Sequence, residues 1–395
     1  MHPNQTNGMS AREWACQVLT IVVGCVLATG ACSSDDEARA GAPRIAGAPV
    51  EIEEMPRMSL GVLEGDTLQE FHRVVTPFLM ADGRLVVPVA GAGTIRVFSP
   101  DGEFMTSLGR PGEGPGEFQY LPAVWPRGDT IEALDYRLRR IARFLPDGSI
   151  QDILIQSDLP DLSVAIGPLD DGGWAIAGVA RGGPGMRDQI GVRRVSADGM
   201  DMGEIAHGEG MVRYGTPEFT GPEPLSPRAV VAVSSGRVLV GEGLAPRIQQ
   251  FDVSGTRVRE YTWQVGAVQA PNEILRAVID SAVARAAPDG AASTRRRLEA
   301  APVPGRLPVY WSIIVDDAGF IWIRPYEPFT HAFALGARSG PGGQWSVLSP
   351  DGMESGSVML PSEIEPFHIT LNAVVGIARD ELGVESVRVH SLRRQ

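Results

Sequence analysis

One hairpin recurs along this chain, and it limits the possible folds more than any other feature. In its clearest copy, Asp82-Gly83 opens the strand RLVVPV (84–89) and a short Gly loop follows; TIRVFSPDGEFMTSLG (94–109) then carries two more strands around an Asp101-Gly102 turn. The next copies are GDTIEALD with LRRIARFLPDGSIQDIL (128–154) and DDGGWAIAGVA with IGVRRVSADGMDMGEI (170–205). SGRVLVGEG with RIQQFDVSGTRVREYTW (235–263) and DDAGFIWIRP with QWSVLSPDGMESGSVML (316–360) degrade the pattern but keep it. A sixth copy, AVVGIARDELGVESVRVHSLRR (373–394), stops one strand short. The turns at Asp101, Asp147, Asp198, Ser254 and Asp351 lie 46, 51, 56 and 97 residues apart. All but the last interval suit one four-stranded sheet per repeat.

The 47 Gly and 31 Pro agree with many turns and little long helix. The expected fold is all-β, a six-bladed β-propeller. Its missing last strand has a candidate at the other end of the domain, because PRMSLGVLEGDTLQEF (56–71) aligns with FMTSLGRPGEGPGEF (104–118). Met58 to Val62 is therefore expected to complete the last blade, closing the ring and removing an open edge. The long interval carries a helical insertion, about 270–306. There Ile274, Leu275, Val278, Ile279, Ala282 and Val283 share one helical face, and a shorter polar helix, STRRRLEAA (293–301), follows. This hairpin is expected to pack on the propeller; the alternative is a lid whose Arg295, Arg296 and Arg297 face an acidic partner.

The chain over roughly Pro56 to Arg394 resembles the NHL-repeat and TolB-like six-bladed propellers, especially bacterial lipoproteins with a loop like GRPGEGPGEF (109–118). That loop recurs loosely as RYGTPEF (213–219). Gly112, Gly114 and Gly116 resemble a phosphate cradle, but no helix pattern follows, so the loop reads as a connector with Phe118 as a plug between sheets.

The run ACQVLTIVVGCVLATGA (15–31) has the length of a signal h-region and ends in small residues before Cys32. Ala28 to Cys32 resembles the bacterial lipobox, which implies cleavage before Cys32 and lipidation on it. Residues 1–31 are then a signal peptide, 32–55 a flexible tether and 56–395 the propeller. Cys16 and Cys25 would leave with the leader, so Cys32 remains alone and no disulfide is expected. By the same resemblance, Ser33 favours sorting to the outer membrane of a Gram-negative cell.

The net charge of −13 makes nucleic acid a poor partner. The chain contains no lysine, which excludes Schiff-base and P-loop chemistry. His72, His207, His331, His368 and His390 are scattered, and no calcium-loop spacing occurs, so no metal, cofactor or catalytic set is expected. The candidate ligand-binding residues are those at the loops between second and third strands: Asp135, Tyr136, Arg137, Arg181, Arg187, Arg324, Tyr326, Arg379 and Asp380. Guanidinium groups there suit a carboxylate or sugar-acid ligand. Three functions are open at this point. The first is a noncatalytic envelope module binding a protein, peptide or glycan, and the second a subunit of an envelope complex. The third, which the resemblance implies through the zinc-dependent lyase and calcium-dependent lactonases on related propellers, is a metal enzyme at the channel axis.

Overall fold

The computed structural model describes residues 50–155, 164–217, 219–265, 272–332 and 342–394. The leader, Cys32 and the first part of the tether lie outside the described residues.

Among the described residues, six antiparallel sheets of four or five strands follow one another along the chain. Sheet I comprises Phe78–Leu79, Leu85–Val89, Thr94–Phe98 and Phe104–Leu108, and sheet II Ala123–Arg127, Thr130–Asp135, Arg140–Phe144 and Ile150–Leu154. Sheet III comprises Val164–Pro168, Trp174–Ala180, Arg187–Val195, Asp201–Thr216 and Phe219–Pro222. Sheet IV has Val230–Ser234, Arg237–Gly241, Arg247–Phe251 and Arg257–Thr262; sheet V has Tyr310–Val315, Ile321–Pro325, Gly343–Leu348 and Glu354–Leu360. Sheet VI contains Ile364–Ile369, Ala373–Arg379 and Glu385–Arg394.

Each sheet is an up-and-down meander whose second strand is almost wholly buried, as in LVVPV (85–89) and IWIR (321–324). Such runs fit strands covered on both faces. The first strands touch in succession from sheet II to sheet VI, and that of sheet VI touches that of sheet I. Thr76, just ahead of sheet I, exchanges hydrogen bonds of 3.3 Å with the backbone of Val124 in sheet II. Apolar side chains fill much of the space between neighbouring sheets. Phe118, for instance, packs among Val86 and Val97 of sheet I and Ile131 and Phe144 of sheet II, the plug expected of it.

The two ends of the described chain meet. Met58–Leu60 pairs antiparallel with Val387–Val389 in sheet VI, where the sequence places its missing strand. Val50–Ile52, expected in the tether, also pairs with that strand, at Leu392–Arg394. Val50 is buried among Trp345 and Val358 of sheet V, so its burial extends the folded body beyond the boundary expected at residue 56. A strand of three residues is too short for periodicity to show, and Val50–Ile52 lacks the repeat match that revealed Met58–Leu60.

The insertion forms helices α1 (Asn272–Arg285) and α2 (Ala291–Glu299). Glu273 in the first turn and Arg285 in the last complement the dipole of α1. Leu275, Val278 and Ile279, at i, i+3 and i+4, pack with Leu298 of α2 against Leu225, Leu307 and Tyr326. The arginine run is partly engaged: Arg295 joins the helices through Asp280 at 2.8 Å, and Arg297 lies over Phe219 with its carbonyl accepting from the Tyr214 hydroxyl at 3.0 Å. No described helix is long and apolar enough to cross a membrane.

The two glycine-rich motifs that look alike in sequence fold differently. Residues 109–118 form a two-stranded parallel ribbon, Arg110–Pro111 beside Glu117–Phe118, whereas Arg213–Thr216 and Phe219 pair in an antiparallel hairpin closing sheet III.

Candidate functional site

The described parts of the loops between second and third strands lie at one end of their sheets; Tyr136, Arg137, Arg181, Tyr326 and Asp380 are in these loops, and Asp135, Arg187, Arg324 and Arg379 are at the strand ends that flank them. Four of these are held in internal bonds. Asp135, fully buried, accepts from the backbone amides of Gln119, Tyr120 and Leu138 at 2.6, 3.3 and 2.9 Å. Arg324, also buried, pairs with Glu327 at 3.1 Å and donates to the Gly342 carbonyl, and burial pulls its pKa below the ordinary guanidinium value. Arg379 bridges two buried carboxylates, Glu365 at 3.3 Å and Glu385 at 2.9 Å. Asp380 closes its own turn by accepting from Leu382 and Val384, each at 2.9 Å.

The other five are more varied. Arg187 pairs with Glu209 at 3.3 Å. Tyr326 is turned into the helical hairpin, and burial raises its phenol pKa. Arg137 and Arg181 are exposed, and half-buried Tyr136 meets Tyr120 edge-on at 6.3 Å. Around them the same end exposes Tyr120 (41%), Met186 (62%), Phe329 (59%) and Leu382 (78%), drawn from sheets II, III, V and VI. The expected arginine funnel is thus mostly a structural network, and what projects from it is aromatic, aliphatic and guanidinium.

The glycine-rich loop is closed to anions by its own carboxylates. Gly114 donates to Glu117 at 2.8 Å and Gly116 to Asp152 at 3.3 Å, while Arg140 binds the carbonyls of Glu113, Gly114 and Glu117. Among the described residues no three His, Cys, Asp or Glu side chains are placed to share an ion.

A second region, which the sequence reading missed, lies at the opposite end. Between sheets IV and V is a cleft of about 390 Å³ lined by Ser234, Arg237, Leu239, Gln250, Arg259 and Ile321, among others. The boundary between sheets II and III explains why it is there. In that boundary Glu132, wholly buried, accepts from Arg127 and Arg143 at 2.8 Å each and from the Trp174 indole at 2.7 Å. Both guanidinium groups lie over that indole, 5.4 and 5.5 Å from its ring.

Strand registers align the two boundaries. Arg127 pairs with Thr130 at the first hairpin of sheet II, as Ser234 pairs with Arg237 in sheet IV. Glu132 faces Arg143 where Leu239 faces Gln250. Trp174 and Ile321 each begin the second strand of the following sheet. The four plug residues Arg127, Glu132, Arg143 and Trp174 therefore become Ser234, Leu239, Gln250 and Ile321, and all four replacements line the cleft. Aligning the repeats position by position carries this signal; searching for motifs does not.

No family model matches the chain, and no curated protein matches it. Among solved structures it is similar to virginiamycin B lyase from Staphylococcus aureus, with 11% identity over 88% of this chain and 100% of that one and a TM-score of 0.41. It is also similar to a member of the DUF4221 family from Bacteroides vulgatus, with 12% identity, 88% and 99% coverage and a TM-score of 0.47. A candidate exported protein of Bacteroides fragilis matches at 10% identity, 89% and 96% coverage and a TM-score of 0.48. At these values the likenesses carry no argument about chemistry.

Proposed function

We propose that this chain is a noncatalytic binding module of the bacterial cell envelope, a six-bladed propeller in the manner of NHL-repeat and TolB-like proteins. On this reading sheets I to VI are its blades, Met58–Leu60 and Val50–Ile52 close the ring on sheet VI, and lipid on Cys32 tethers it to the outer membrane. Its partner is a protein, which docks on the end carrying the loops between second and third strands.

The observation that supports this most is the chemistry exposed at that end. Tyr120, Met186, Phe329 and Leu382 stand out from four different sheets beside exposed Arg137 and Arg181. Aromatic residues, Met and Arg are the types enriched where proteins meet. The ion pairs beneath, Arg379 with Glu365 and Glu385 and Arg324 with Glu327, tie down the strand ends at that face, which lowers the ordering cost of association.

The test combines mild crosslinking in cells with co-purification. Arg181→Glu with Met186→Asp, both at exposed positions, should lose the crosslinked partner while the unfolding midpoint stays the same. Retention of the same partner by this variant would defeat the docking face. Cys32→Ala should release the chain from membranes; unchanged fractionation defeats the anchor.

A further inference from the structure

The cleft between sheets IV and V is defined by what its counterpart contains. At the boundary of sheets II and III the protein fills the space with one carboxylate, two guanidinium groups and an indole that they cover. At the boundary of sheets IV and V the carboxylate and the indole are both replaced, by Leu239 and Ile321. Two guanidinium groups still line the space, supplied from different positions by Arg237 and Arg259. The Arg237 guanidinium is hydrogen-bonded to no described residue, while Arg259 donates one N–H to the Pro350 carbonyl at 2.6 Å and lies 5.7 Å from the Tyr261 ring. Asp252 and Asp351 lie in the fields of these two arginines, but each carboxylate is hydrogen-bonded by its own serine, Ser254 and Ser349.

What the cleft lacks, relative to the plug, is an aromatic ring bearing a carboxylate. We propose that the cleft is a binding site for a small aromatic monocarboxylate. The ring lies against Leu239, Val315 and Ile321, and the carboxylate is held by Arg237 and Arg259, with Gln250 and Ser234 offering further hydrogen bonds. A volume of about 390 Å³ is at the small end for ligand sites and suits one ring or a fused pair. Asp317, on the same wall with its carboxylate 3.2 Å from His368 Nε2, sets the charge limit. A second acid on the guest would approach that carboxylate and be repelled. This site is at the far end of the sheets from the proposed docking face, and neither depends on the other.

Calorimetric titration of the purified protein with indole-3-acetate and with its uncharged amide tests the proposal. The acid should bind saturably with a Kd of about 1 mM or tighter, and the amide about tenfold more weakly or worse. Arg237→Ala, a change at an exposed position, should weaken the acid by about tenfold. Ile321→Trp should abolish binding by filling the ring position, with Leu239→Trp as the second filling variant should the first fail to fold. Equal affinity for acid and amide, undiminished binding in a folded filling variant, or no saturable binding at about 10 mM acid would each overturn the assignment.

Discussion

The boundaries II/III and IV/V occupy the same place in two repeats of one pattern, yet one is sealed by ions and the other is open. Arg127, Arg143 and Trp174 all donate to the one buried carboxylate of Glu132; Ser234, Leu239, Gln250 and Ile321 leave room. The difference teaches that strand register, not side-chain bulk, maintains the architecture. Both boundaries keep the same hairpin pairing although the residues at the four matching positions differ.

The comparison can be broken most sharply at Glu132. Glu132→Ala leaves two guanidinium groups and an indole N–H without their shared acceptor, and should cost about 3–5 kcal/mol, read from urea unfolding midpoints. A loss below about 1 kcal/mol would mean that the plug is decoration. Leu239→Ala, the same position at the open boundary, should cost about 2 kcal/mol, at the low end for truncating a buried leucine because the space it leaves joins the cleft. A loss as large as that of Glu132→Ala would erase the contrast. Ile321→Trp should cost about 1 kcal/mol, at the low end for added bulk at a buried position because the cleft adjoins it; a loss above about 3 kcal/mol would show that the cleft cannot hold the ring.

The smallest effect is a control shared by both boundaries. Asp147, Asp198, Asp252 and Asp351, in the third hairpin turns of sheets II to V, are each held below the ordinary carboxylate value, chiefly by hydrogen bonds from Ser149, Ser196, Ser254 and Ser349. A carboxylate with a depressed folded pKa contributes its full stabilisation above its unfolded value, about 3.9, and loses it as pH falls through the folded value. Unfolding midpoints should therefore fall between pH 5 and pH 3, and by the same amount in Ile321→Trp as in the parent. A pH response that differs between the two would tie the turns to the cleft.

The repeat was legible because each Asp-Gly or Ser-Gly turn declares itself locally, as at Asp147-Gly148 and Ser254-Gly255, where Gly takes positive φ. Helix α1 was legible for the same reason, its apolar residues recurring within one face. The candidate site was less so. Arg324 and Arg379 look like ligand-binding groups in sequence, and only their partners Glu327, Glu365 and Glu385 reveal their internal role. Val50–Ile52 escaped notice because, unlike Met58–Leu60 on the same partner strand, it carries no copy of the repeat pattern.

By itself, then, the order of residues determined the meanders, their turns, the helical insertion and the strand near Met58 that returns to sheet VI, since alternation and turn chemistry act between near neighbours in the chain. Only the tertiary structure decided which arginines are consumed by buried acids, which loop tips project together, and where a boundary is left unfilled. Those outcomes depend on side chains from different sheets sharing one space, and a volume between two surfaces belongs to neither strand alone.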